Sequence, residues 1–102
     1  MSEWMRLCAV SDIAPGTCRS CEAGGRRIAV FNVDGTFHAI DDACAHRGGP
    51  LSEGTVAGTF VTCSWHFWRF DLSTGKNTTN PDIAQRRHRL EIHGEELYIE
   101  LF

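Results

Sequence analysis

Cys44-Ala45-His46 and Cys63-Ser64-Trp65-His66 each present one thiol and one imidazole within a few residues, and sixteen residues lie between the two segments. This pairing constrains the chain more than any other feature, because a fold that uses the four side chains together must bring both segments to one place. A mixed set suits a two-iron cluster: both sulfurs bind one iron and both imidazoles the other, which leaves the histidines on the outward side. Neutral imidazoles carry less negative charge than thiolates, so reduction is easier than in an all-cysteine cluster. The same four residues could instead converge on one Zn²⁺ with no redox role. Zinc modules, however, typically pair Cys with Cys and His with His rather than repeating a Cys/His pair.

The rest of the chain reads as an all-β framework around these segments. Runs rich in β-branched and aromatic residues recur between turn signals, and no window sustains a helical period with caps. Candidate strands are Met5–Val10, Thr17–Glu22, Arg27–Val33, Thr36–Ile40, Thr59–Cys63, Trp68–Asp71, Arg89–Ile92 and Leu97–Leu101. Asp34-Gly35 supplies the positive φ of a two-residue hairpin. His93-Gly94-Glu95-Glu96 predicts a second hairpin, whose last strand alternates apolar residues for one buried face. From Asp41 to Thr59 the alternation fails, and four glycines and a proline mark an inserted loop region. Ser73 to Gln85 reads as a second irregular segment. At 102 residues the expectation is one domain, with no internal repeat or linker to divide it.

The ligand pattern resembles that of the Rieske family, Cys-x-His followed after a similar spacer by Cys-x-x-His. Arg47-Gly48-Gly49-Pro50-Leu51, Gly54, and Phe70-Asp71 to Gly75 look like Rieske ferredoxins and related oxygenase domains. The resemblance implies one [2Fe-2S] cluster held by Cys44, His46, Cys63 and His66. It also implies a Rieske-like antiparallel β-sandwich or partly open barrel, spanning 1–102, with a loop-rich cluster-binding subdomain at about 41–75. Gly48, Gly49 and Pro50 allow a sharp turn that could bring N–H groups near the bridging sulfides. Trp65, Phe67, Trp68, Pro50 and Leu51 are expected to shield the cluster, or to form an aromatic rim for transient docking.

Which Rieske class this is follows from what the chain lacks. The respiratory type carries an extra cysteine in each ligand loop and a membrane helix; neither Arg47 to Leu51 nor Ser64 to Phe70 contains a cysteine, and no stretch of eighteen apolar residues occurs. An oxygenase subunit needs a further iron site and a much longer chain, so no catalytic residue is expected. The resemblance then implies a one-electron carrier, similar to the ferredoxins of multicomponent aromatic-ring dioxygenases. Its partners would be a flavin-dependent ferredoxin reductase oxidising NAD(P)H and a terminal oxygenase, and it would be a monomer when free. A bound small subunit of an assimilatory nitrite reductase is the alternative, and a zinc-stabilised interaction module a lesser one.

The remaining features are expected to be structural. Met-Ser-Glu-Trp-Met-Arg lacks an export pattern, so a cytoplasmic protein is expected. A net charge of -3 with scattered basic residues argues against nucleic acid, and Arg86-Arg87-His88-Arg89 reads as a solvated strand or loop. Five cysteines without an export signal argue against a disulfide framework. Cys18-Arg19-Ser20-Cys21 lacks the strand-to-helix context of a redox CxxC, and in an extended segment residues three apart face opposite sides. Cys8, Cys18 and Cys21 are therefore expected to be structural, and His38, His88 and His93 ordinary strand histidines.

Overall fold

Nine strands, and no helix longer than a single 3-10 turn, make up the described part of the chain; the computed structural model describes residues 4–44, 49–64 and 67–100. The strands are β1 (Trp4–Ala9), β2 (Cys18–Ala23), β3 (Arg26–Val33), β4 (Thr36–Asp41), β5 (Thr55–Ala57), β6 (Phe60–Thr62), β7 (Arg69–Asp71), β8 (Arg87–His93) and β9 (Glu96–Glu100). All eight expected strands are present within two residues of their predicted bounds. The unforeseen one, β5, lies inside the stretch read as loop. It is only three residues long and turns into β6 at Gly58, whose φ of +59° suits a glycine. The expected two-residue hairpin joins β3 to β4, with Asp34 and Gly35 both at positive φ.

Six strands form an antiparallel sheet in the order β1-β9-β8-β4-β3-β2, and β5-β6-β7 form a second, smaller one. The large sheet curls so that its two edge strands, β1 and β2, approach one another and nearly close a barrel. Strand β3 is the axis of this arrangement because it is buried on both faces: Ile28, Ala29, Val30 and Phe31 are all fully enclosed. Since side chains alternate along a strand, the run divides between two cores. Ile28 and Val30 join Cys8, Ile13, Ala23, Ala39, Leu97 and Ile99 inside the barrel. Ala29 and Phe31 face the other way, joining Ile40, Leu51, Val61, Phe70, Leu72, Cys44 and Cys63 between the barrel and the small sheet.

The second of these cores, the loop-side core, supports both thiols of the paired motif. Truncating Phe31 there should cost stability through lost burial and a cavity: Phe31→Ala is expected to destabilise folding by about 3–5 kcal/mol, measured as a lower urea midpoint at unchanged m-value.

Candidate functional site

Cys44 lies three residues past the end of β4, and a short ladder holds the segment around it. The Cys44 amide donates to Gly49 O at 2.8 Å, Ala43 bridges Pro50, and the Leu51 amide donates to Asp42 O at 2.8 Å. The chain between Cys44 and Gly49 is thus tied at its base. Asp42, with its side chain only 1% exposed, anchors the return. Its Oδ1 accepts from the Ser52 amide at 2.8 Å, its Oδ2 accepts from Ser20 Oγ at 3.2 Å, and Arg27 Nε lies 4.0 Å away. A buried carboxylate is tolerated when it is paired in this way.

Cys63 directly follows β6 and is tied in the same manner, its amide donating to Trp68 O at 2.7 Å just before β7 begins. Gly54 joins the two Cys/His segments: an added Cβ would overlap the carbonyl oxygen of Thr62, the residue before Cys63. Only a residue without a side chain permits this close approach. Both cysteines are therefore delivered, from two separately tied loops, into the loop-side core, where Cys44 is 4% and Cys63 0% exposed. His46, His66 and Trp65 lie outside the described residues.

The expected shield separates into two kinds of residue. Leu51 is completely buried and Trp68 packs against the loop-side core, so both exclude water from the cysteines. Phe67 is different. It is 77% exposed at a φ of +59°, an uncommon conformation for a bulky residue, which turns its ring away from the core immediately after His66.

Three residues support the site through contacts that no local sequence pattern records. Gln85, buried within the second irregular segment, donates through Nε2 to both Asp41 O and Ala43 O at 2.8 Å, which holds the chain leading to Cys44. Gly75, at φ +80°, makes room for Gln85: a Cβ there would collide with the Gln85 carbonyl, and the Gln85 amide donates to Gly75 O at 2.7 Å. The Phe70-Asp71 to Gly75 stretch thus serves to seat Gln85, with Asp71 accepting from the Ser73 amide and hydroxyl to shape the turn. Those two bonds, the hydroxyl foremost, hold the Asp71 carboxyl below its usual pKa. Cys18 is the third support, its thiol donating to Ser52 O at 2.7 Å and so fixing the turn below Leu51.

The other singled-out residues stay away from the cysteines. Cys18 and Cys21 face opposite cores, as expected of an extended strand. Among the described residues no group of three or more His, Cys, Asp and Glu side chains is placed to hold a metal. His38 and His93 belong to β4 and β8. His88 is the inward member of the basic run, flanked by exposed Arg87 and Arg89. Its Nε2 meets Asp41 Oδ1 at 2.8 Å, and Arg26 meets the same oxygen at 2.9 Å. Burial lowers the His88 pKa, outweighing the opposing pull of Asp41. Burial also lowers that of His38, with Arg87 adding to the effect.

Residues 3–95 match the family model of the Rieske [2Fe-2S] domain. Ferredoxin CarAc of Metapseudomonas resinovorans is 34% identical over 98 residues, covering 94% of this chain and 92% of that one. The ferredoxin component of the p-cumate 2,3-dioxygenase system of Pseudomonas putida is 34% identical over 104 residues, covering 99% and 88%. A solved complex of reduced oxygenase and oxidized ferredoxin in carbazole 1,9a-dioxygenase contains a chain that superimposes with a TM-score of 0.85. That chain is 34% identical, with 94% of this chain and 91% of that one covered.

Two expectations follow from the supports. Gln85→Ala removes both bonds to the chain before Cys44 and should speed loss of visible absorbance on mild heating several-fold, with the far-ultraviolet dichroism little changed. For His88, a folded-state pKa below the ordinary 6.5 means that the unfolded chain binds the proton more readily. Its stabilising contribution is complete above about pH 6.5 and is lost as pH falls through the lowered value. Melting temperature should therefore drop on acidification from neutral pH, and His88→Gln should flatten part of that slope.

Proposed function

Because this chain belongs to the Rieske [2Fe-2S] domain family, we propose that Cys44, His46, Cys63 and His66 hold its one [2Fe-2S] cluster and that it carries single electrons to a terminal oxygenase. The observation that carries this reading is the delivery of Cys44 and Cys63 into one buried apolar core by two separately tied loops. Two thiols enclosed in this way fit a sulfur-bound iron, whereas His46 and His66 come from the segments beyond them. When bound, the cluster takes up and releases one electron.

The chain's own residues supply position and insulation. Leu51 and Trp68 keep water from the cysteine side, and Asp42, Gln85 and Cys18 hold the first loop in place, so little rearrangement accompanies a change of charge. The protein transfers electrons and is not a catalyst, in keeping with relatives that are ferredoxin components. One such relative is known in complex with its oxygenase, which supports the same kind of acceptor here. Exposed Phe67, next to His66, offers that acceptor an apolar contact at the electron's exit. An NAD(P)H-oxidising flavin reductase fits as the donor, because a one-electron carrier must be refilled by a partner that splits a hydride's electron pair. No helix among the described residues is long and apolar enough to cross a membrane, and the working compartment is taken to be the cytoplasm. The segment concerned, about 41–75, is the cluster-binding part of a single domain spanning 1–102.

The nitrite-reductase small-subunit reading has less support, since the ferredoxin relatives are 34% identical over nearly their whole length, whereas nitrite reductase small subunits share the fold at only 18–19% identity. The test is chemical and kinetic. The purified protein should contain iron and acid-labile sulfide and give an electron spin resonance signal after dithionite reduction. The reduced protein should then be reoxidised on mixing with a carbazole-type terminal oxygenase. Cys44→Ser and Cys63→Ser should abolish colour and signal, while Cys18→Ser should keep both. Stoichiometric zinc without iron, or colour lost on replacing Cys18 and kept on replacing Cys44, would overturn the ligand assignment.

A further inference from the structure

The edge strands β1 and β2 stand at opposite ends of the large sheet's strand order, yet the curl brings them together without a backbone ladder between them. Each of these strands brings one cysteine to the barrel core. Cys8 follows a break in the β1–β9 register and is buried among Ile13, Ala23, Ile28 and Leu97. Cys21, opposite Ile28 on β3, is half-buried and packs on the same core. The two side chains pack on one core, and each thiol is among the groups that act on the other's ionisation. The sequence offered Cys18 and Cys21 as the conspicuous pair, but the fold sends Cys18 to Ser52 O and gives Cys21 a different partner.

We propose that Cys8 and Cys21 form an oxidisable dithiol, which a small disulfide such as glutathione disulfide converts into a cross-link closing the barrel seam. The more accessible Cys21, as its thiolate, attacks one sulfur of the oxidant and releases the first glutathione thiol. Cys8 then attacks the Cys21 sulfur of the mixed disulfide and releases the second. Two protein thiols and one glutathione disulfide thus become one protein disulfide and two glutathione thiols, with two electrons passing to the oxidant. The barrel core that holds this pair lies across β3 from Cys44 and Cys63, so the cross-link can form without touching the iron-sulfur ligands. The inference does not depend on the electron-carrier reading.

The surroundings set the conditions under which the dithiol reacts. Burial raises Cys21 to about 11, with Cys8 and Asp12 adding to the effect and Arg19 opposing it. Burial and Asp12 also raise Cys8, against Cys21, Arg19 and Arg6. Since the thiolate is the nucleophile, the pair reacts only slowly with the oxidant at neutral pH. The rate should rise about tenfold per pH unit in the mildly alkaline range, in step with the thiolate fraction. A cross-link between positions 8 and 21 also restrains the unfolded chain, so the oxidised protein should melt at a higher temperature.

The test uses the cluster-loaded protein, incubated anaerobically with glutathione disulfide at mildly alkaline pH, alkylated and digested with trypsin. The expected product joins peptide 7–19 to peptide 20–26, with visible absorbance retained, melting temperature raised and reversal by dithiothreitol. Because peptide 7–19 contains both Cys8 and Cys18, the same product from Cys18→Ser assigns the bond to Cys8. Cys8→Ser should show neither link nor melting shift and should stop at a glutathione adduct on Cys21. Cys21→Ser, altered at a less buried position, gives the same absence of link if Cys8→Ser fails to fold. Absence of the link in wild type, its loss in Cys18→Ser, its appearance only after the visible colour has bleached, or an unchanged melting temperature in the linked protein would each overturn the proposal.

Discussion

Burial of β3 on both faces is the constraint on which the rest of this structure depends. Ile28, Ala29, Val30 and Phe31 are enclosed without interruption, and a strand in that position must have an apolar layer on each side. The barrel supplies one layer. The other is supplied by the segments that carry the paired motif, together with the small β5-β6-β7 sheet. The part that carries the paired motif is therefore the second cover of the central strand, and the packing that stabilises the fold also fixes the positions of Cys44 and Cys63.

Within that cover, backbone hydrogen bonds do most of the positioning. Cys44 to Gly49 and Cys63 to Trp68 tie each loop just where the ligand pair begins and ends. Gly54 allows the two tied loops to meet by presenting no side chain to Thr62. Polar side chains then hold the first loop from three directions: Asp42 from β4's end, Gln85 from the irregular segment, and Cys18 from β2 through Ser52. Each of these groups is buried or half-buried with a partner, as polar groups in a low-dielectric interior must be. An electron carrier benefits from such restraint, because reorganisation on reduction opposes transfer.

The two cores also separate two kinds of sulfur chemistry. On the loop side, Cys44 and Cys63 lie under Leu51 and Trp68, where the donor set suits iron. In the barrel, Cys8 and Cys21 pack on one core at a seam with no ladder. The alternation of β2 decides this division, for Cys18 and Cys21 are three residues apart and so project to opposite faces.

The sequence by itself determined the class of fold, the hairpins and the family to which the paired motif points, because these depend on local rules. Alternation marks strands, Asp34-Gly35 turns a hairpin, and a Cys/His pair repeated at close spacing has few other uses. Family membership bears out the cofactor, and the strands lie where the alternation put them. Strand β5 escaped notice because three residues are too few to show a period. Gln85, Asp42 and the Cys8–Cys21 pairing escaped for a different reason. Gln85 meets Asp41 and Ala43 more than forty positions away in the chain, and Cys8 and Cys21 reach one core only because the sheet curls until its edges approach. No local pattern records a contact of that kind. Only the tertiary structure decided those partners, since they follow from how one doubly buried strand gathers both of its covering layers.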